Sequence, residues 1–196
     1  MPRTPEYDRD AVIHEATAVF WERGYSQTSV GDLVEATGLK PGSLYAAFGS
    51  KKGVFLEVLD DYNRRFLGKI RALAEGSIID GVQQLLDEVI DEVAAGDASR
   101  GCLSVNTLIE MSQHDAEIAE HLATHNRKLK YAFADLFGAA QRAGEISDAK
   151  DPRALASFLI NNLWGMRVTC KSGPDRRSLE AVADTIMTVL ATDLYD

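Results

Sequence analysis

A chain of 196 residues with 45% hydrophobic content can form one domain or two small ones around an ample core. Its formal charge of −9 argues against a wholly nonspecific nucleic-acid binder, and two cysteines, Cys102 and Cys170, make no disulfide framework, which points to a reducing cytoplasm. No apolar run reaches the roughly eighteen residues of a membrane span, no signal peptide is visible, and the P-loop, GxGxxG, CxxC, HExxH and GxSxG signatures are absent.

Strand-like alternation is scarce, and the apolar periodicity predicts an all-α chain of about nine helices. After a loose arm over 1–6, a first helix is expected over about 8–23, with Val12, Ala16, Val19 and Phe20 inward. Val30, Leu33 and Val34 make one face of a short second helix that Thr28 or Ser29 can cap. Gly38 stands where the exit from that helix needs positive φ, and Pro41 suits the first turn of a third. Leu44, Ala47 and Phe48 form its inward face, Gly49 ends it and Ser50 can cap the next.

Two helices of about eight residues joined by a turn of three or four have helix-turn-helix spacing, which is also the spacing of a plain helical hairpin. No acidic residue occurs from Ala36 through Leu56, where Lys40, Lys51 and Lys52 are the cations. An acid-free island in an acidic chain is a suitable seat for a polyanion. If the third helix enters a major groove, Lys40, Pro41, Gly42, Ser43 and Tyr45 are the exposed positions at its start. Residues 1–66 carry eight Lys/Arg against ten Asp/Glu, and 67–196 thirteen against twenty, so the acidic excess lies beyond this region.

The fourth helix is expected over 50–75, with Phe55, Val58, Leu59, Tyr62, Phe66, Ile70 and Leu73 as its stripe. The fifth is expected over 79–95, around Val82, Leu85, Leu86, Val89, Ile90 and Val93, before a break near Gly96 and Gly101. The sixth, about 101–112, is apolar nearly all round, as in a helix buried at a domain centre. Asn106, Glu110 and Gln113 share one of its faces with Cys102, either bonded to a neighbouring helix or lining a ligand pocket. The seventh, about 115–143, carries His125 on an otherwise apolar stripe of Ile118, Leu122, Leu129, Ala132, Phe133, Leu136 and Ala140, as a core residue or a ligand contact. His114, His121 and His125 have metal-like spacing, but the break at 113–115 spoils their alignment, and no metal site is assigned. No nucleophile–base pair suggests an enzyme, and no catalytic residue or cofactor is assigned.

The last two helices are expected over 152–171 and 176–194. One stripe is Leu155, Leu159, Leu163, Met166 and Cys170, and the other Leu179, Val182, Ile186, Val189 and Leu190. Both helices are amphipathic and could close an intramolecular core. Trp164, Phe158 and Asn161 lie off the main stripe, where one of them could face a pocket.

The first sixty-odd residues resemble the DNA-binding domain of the TetR family of transcriptional regulators, the AcrR-type helix-turn-helix repressors. The matching residues are Ala16, Phe20, Gly24 and Tyr25, then Thr28, Ser29, Val30, Leu33, Gly38 and Leu39, then Ser43 and Phe55 beside the run G-x-L-Y-x-x-F-x-x-K at Gly42, Leu44, Tyr45, Phe48 and Lys51. The resemblance implies a helix-turn-helix domain over 1–52, helix four (50–75) as connector, and an effector-binding and dimerisation domain over 53–196. It implies phosphate contacts from Thr28, Ser29, Tyr45 and Lys51, and a groove-facing segment of Lys40, Pro41, Gly42 and Ser43. Many family members have Ser or Thr where this chain has Lys40, so base preference does not transfer.

The resemblance also implies a homodimer built on the last two helices, with Leu155, Leu159, Leu163, Met166, Leu179, Val182, Ile186, Val189 and Leu190 at the interface. Two recognition helices would then meet a pseudo-palindromic double-stranded operator, and an unidentified small-molecule effector would release it. The small N-terminal unit cannot hold a cavity of about 300 Å³. A pocket is therefore expected among the fourth to eighth helices, with Asn106, Glu110, His125 and Trp164 as candidates. The alternatives are an activator of the same family, or an all-α enzyme or scaffold, of which the scaffold leaves the acid-free island unexplained.

Overall fold

The computed structural model describes residues 7–94, 100–173 and 175–191. The expected arm over 1–6, the side chain of Val93, Gly96 and the expected end of the last helix lie outside them. All regular structure among the described residues is helical.

Local chemistry sets the N-terminal boundaries. The Asp8 carboxylate accepts from the backbone N–H groups of Asp10 and Ala11 and starts α1 (Arg9–Gln27). That helix breaks at Gly24, whose φ of +79° a residue with a Cβ adopts only under strain. A capping box opens α2 (Val30–Thr37): Ser29 Oγ accepts from the Asp32 N–H at 3.1 Å, while the Asp32 carboxylate accepts from the Ser29 N–H at 2.7 Å. Gly38 closes α2 in the left-handed region. Pro41 begins α3 (Pro41–Phe48), whose N-cap, Lys40, supplies no side-chain bond. Ser50 caps α4 (Lys51–Ala72), which runs into a short 3-10 turn, Leu73–Glu75.

The remaining helices are α5 (Ile78–Ala94), α6 (Leu103–Met111), α7 (Ala116–Ala143), α8 (Pro152–Cys170) and α9 (Arg176–Ala191). Their side chains make two cores that meet along α4. Val54, Phe55, Val58 and Leu59 join Phe20, Leu33, Leu44 and Phe48 in the N-terminal core. Leu67 and Ile70 join α5, α7, α8 and α9 in the larger one. The N-terminal core also takes in Leu103 and Met111 of α6 and Ile118 and Leu122 of α7. Its packing therefore runs past residue 52 and holds groups from far along the chain.

Two expectations need correction. The sixth helix is not apolar all round in its setting, because Ile109 is 71% exposed while Ser104 and Thr107 are buried. The stripes assigned to the dimer interface mostly face inward. Leu155, Leu159, Leu163, Met166, Leu179, Ile186 and Leu190 are buried within one chain, and only Val182 and Val189 retain exposure. The physical reason is that an amphipathic helix first satisfies the core of its own chain. Its second face, less apolar and hard to see in a hydrophobic pattern, stays exposed in the single chain.

Candidate nucleic-acid interface and effector cavity

Burial of Leu44 and Phe48 fixes the rotation of α3 and turns Lys40, Pro41, Gly42, Ser43 and Tyr45 outward. Tyr45 is 48% exposed. The Arg9 guanidinium lies 4.4 Å over the Phe48 ring and pairs with Glu57, bracing α1 against α3 and α4. Ser29 is exposed beside α3 as the cap of α2.

Two other expected phosphate contacts are occupied inside the fold. Thr28 is 1% exposed, and its hydroxyl donates to the Gly24 carbonyl at 2.6 Å. Lys51 donates to the carbonyls of Tyr25 at 2.9 Å and Thr28 at 2.8 Å, with its ammonium 4.3 Å from the centre of the Tyr25 ring. It thus fastens the start of α4 to the chain leaving α1. Lys52 pairs with Glu117 at 2.6 Å and Asp115 at 3.3 Å, on the α7 side.

Glu110 of α6 grips the same junction. Its carboxylate accepts from the backbone N–H groups of Tyr25 at 3.0 Å and Ser26 at 2.7 Å. Burial would raise this carboxyl, but the bonds from Ser26 and Tyr25 and the charge of Lys51 outweigh it and hold the group below the usual glutamate range. A Cβ on Gly24 would stand 2.8 Å from Glu110 Oε2, so the bare backbone at Gly24 is what lets the carboxylate come close. Nothing in the sequence pattern announces a contact between positions so far apart.

A cavity of about 70 Å³ lies among α4, α5, α6, α7 and α8. His125 and Trp164, two of the expected residues, stand on its wall beside Tyr62, Asn63, Cys102 and Phe133. Burial, with the nearby charges of Lys128 and His121, depresses the His125 imidazole from 6.5 to about 4, so it is neutral at pH 7. Tyr62 donates from its hydroxyl to Cys102 Sγ at 3.5 Å, and burial raises its pKa strongly. On the far side of Tyr62 sits Trp21 of α1, edge-on at 5.2 Å, its indole N–H donating to the carbonyls of Arg100 and Gly101 at 3.1 Å.

Asn106 and Glu110 do not line this cavity. Asn106 donates to the Arg100 carbonyl at 2.7 Å and accepts from Lys171 at 2.9 Å, which ties the start of α6 to the end of α8. The polar face of α6 is thus bonded to neighbouring elements. Asn63, which sequence reasoning passed over, is 4% exposed and accepts the Ser104 hydroxyl at 2.6 Å. Its mid-helix position between Tyr62 and Phe66 offered the only hint. Among the described residues no group of three or more His, Cys, Asp or Glu is placed to hold a metal ion.

The fold and this arrangement agree with two family models. Residues 12–58 match bacterial regulatory proteins of the tetR family, and residues 79–186 match the tetracyclin repressor-like C-terminal domain. The chain belongs to the TetR family. It is a DNA-binding transcriptional regulator. The HTH-type transcriptional repressor ComR of Escherichia coli K12 is 32% identical over 94% of this chain and 90% of its own length. The uncharacterized HTH-type regulator YezE of Bacillus subtilis is 29% identical over 97% of this chain and all of its own. Among solved structures, a cysteine mutant of the TetR family regulator CifR, complexed with 26bp operator DNA, superposes with a TM-score of 0.83. It is 30% identical and covers 96% of this chain and 99% of that one. No helix of the described residues is long and apolar enough to cross a membrane.

Proposed function

We propose that this TetR-family chain is a cytoplasmic repressor that binds a pseudo-palindromic operator as a homodimer and leaves it when a small molecule fills the cavity. The observation that carries the reading is the placement of α6. Its first turn, with Cys102 before it and Ser104 within it, borders the cavity. Its far end, through Glu110, holds the junction between α1 and α2, to which Lys51 fastens the start of α4 just after the recognition helix. A nine-residue helix spans about 13 Å and moves as a rod, so a displacement at the cavity reaches the DNA-binding unit.

The exposed start of α3 supplies the DNA contacts, with Lys40, Gly42 and Ser43 at base edges and Tyr45 and Ser29 toward phosphates. The dimer uses the outer faces of the last two helices: Asn161, Gly165 and Val168 on α8, and Val182, Thr185 and Val189 on α9. A Cβ on Gly165 would meet nothing within 4 Å in one chain, which leaves room for a close-packed partner helix.

The test is fluorescence anisotropy of the purified protein on DNA from beside its own gene, with sedimentation to count subunits. The expected result is a dimer-dependent, sequence-selective complex whose affinity falls steeply with salt. Binding without sequence preference, or by monomers at full affinity, overturns the reading.

A further inference from the structure

The cavity wall holds a fully buried polar atom that the fold does not use. Asn63 Nδ2 is buried with no acceptor among the described residues, while its Oδ1 takes the Ser104 hydroxyl. Leaving an amide N–H buried and unbonded is costly, so a group in this state points to something that arrives to use it. The orientation of the amide follows from its partner. Ser104 Oγ donates to Asn63 Oδ1 at 2.6 Å, so the amino side of the amide is the one left without a partner.

The charges on the wall are compensated. Arg167 pairs with Glu92, and Glu88 pairs with Lys69 at 3.0 Å. The His125 imidazole is neutral at pH 7. A charged occupant would leave its hydration shell and find no unpaired counter-charge. The volume limits size as well: about 70 Å³ of enclosed space suits a compound of only a few heavy atoms.

Resting on the reading of this cavity as the effector site, we propose that it takes a short uncharged compound bearing a hydrogen-bond-accepting oxygen, a small ketone, aldehyde, ester or ether. Asn63 Nδ2 donates to that oxygen and sets its orientation, while Phe66, Phe133 and Trp164 cover its carbons. Because Asn63 holds Ser104 of α6, engagement of the amide acts directly on the helix that ends at Glu110.

The experiment titrates the full chain, free of DNA, with 2-butanone, butyrate and n-butylammonium. Calorimetry gives affinity, and the Asn63 side-chain N–H₂ pair in a nitrogen-correlated NMR spectrum, assigned by its loss in Asn63→Asp, gives location. The expected result is that 2-butanone shifts this pair and binds at least tenfold more tightly than either ion. Asn63→Leu and Asn63→Asp should each weaken it about tenfold. Failure of 2-butanone to bind, equal binding of either ion, variants that bind like the parent, or an unmoved N–H₂ pair at saturation each overturn the proposal. Should Asn63→Leu fail to fold, the isosteric Asn63→Asp and the parent's own resonance decide. An operator-release assay in parallel separates the two layers. Binding of 2-butanone at Asn63 without release supports the ligand class and removes the regulatory reading. Release by compounds that leave the Asn63 signal unmoved removes both.

Discussion

Glu110 accepts a 2.7 Å hydrogen bond from the backbone N–H of Ser26, eighty-four positions earlier in the chain. This bond and its neighbour to Tyr25 close the turn that follows the Gly24 break, where left-handed backbone and a nearby carboxylate both exclude a side chain. Gly24→Ala should lower stability by about 1–3 kcal/mol through backbone strain and the clash. Adding Glu110→Ala should remove the clash but not the strain, so the double variant loses less than the two single losses combined. Thermal and urea unfolding of all four proteins measure this coupling. In the single Glu110→Ala variant, the part-buried N–H of Tyr25 and the exposed N–H of Ser26 lose their acceptor, and the dependence of operator affinity on effector should flatten.

Lys51 and Tyr45 separate folding from DNA contact. Lys51→Ala removes two bonds to carbonyls and the contact with the Tyr25 ring, so unfolding should shift by about 1–3 kcal/mol along with weaker DNA binding. Tyr45→Phe touches an exposed hydroxyl and should leave stability within about 0.5 kcal/mol while lowering affinity for all sequences. Lys40→Ala, also exposed, should change which base is preferred, read by a selection experiment on randomised half-sites.

His125 sets a pH dependence of known sign. Its folded pKa of about 4 lies below the ordinary 6.5, so between these values the unfolded chain holds the extra proton. Stability from this group is full above pH 6.5 and falls as pH drops toward 4, by of order 2–3 kcal/mol. His125→Gln should flatten that limb of the stability curve. Urea midpoints measured between pH 7 and pH 5.5 make the comparison, above the ordinary carboxylate range in which Glu110, Asp32 and Asp115 of the unfolded chain begin to take up protons.

The inner and outer faces of the last helices should respond differently to charge. Leu163→Glu places a carboxylate in the monomer core and should unfold the chain or cost more than 3 kcal/mol. Val168→Glu and Val182→Glu alter residues 44% and 39% exposed, so each chain should stay folded while sedimentation shifts toward monomer and operator affinity drops. Val168→Glu proteins that remain dimeric would place the interface elsewhere.

The fold was readable because periodicity and punctuation agree. Ser29, Gly38, Pro41 and Ser50 mark helix ends through single-residue chemistry, and each occupies the cap or first-turn position that chemistry favours. The exposed start of α3 was readable for the same reason, since Leu44 and Phe48 fix its rotation. The destinations of polar side chains were not. Lys51, Glu110 and Asn106 are all hydrophilic residues at helical spacing, and whether such a group meets solvent, ligand or a distant backbone depends on how helices far apart in sequence stack. The same holds for Asn63, whose isolated polarity gains meaning only once Ser104 is packed beside it.

The chain's two tryptophans stand at different stations of this machine. Trp164 borders the cavity, while Trp21 leans on Tyr62 and holds the carbonyls just before α6. The protein therefore carries built-in optical probes of cause and effect. In Trp21→Phe, the remaining emission follows occupancy of the cavity. In Trp164→Phe, it follows the grip of α1 on the segment leading into α6. Stopped-flow traces of the two variants would give the order of events, with the lag between them timing the passage of the signal through the protein without any attached dye.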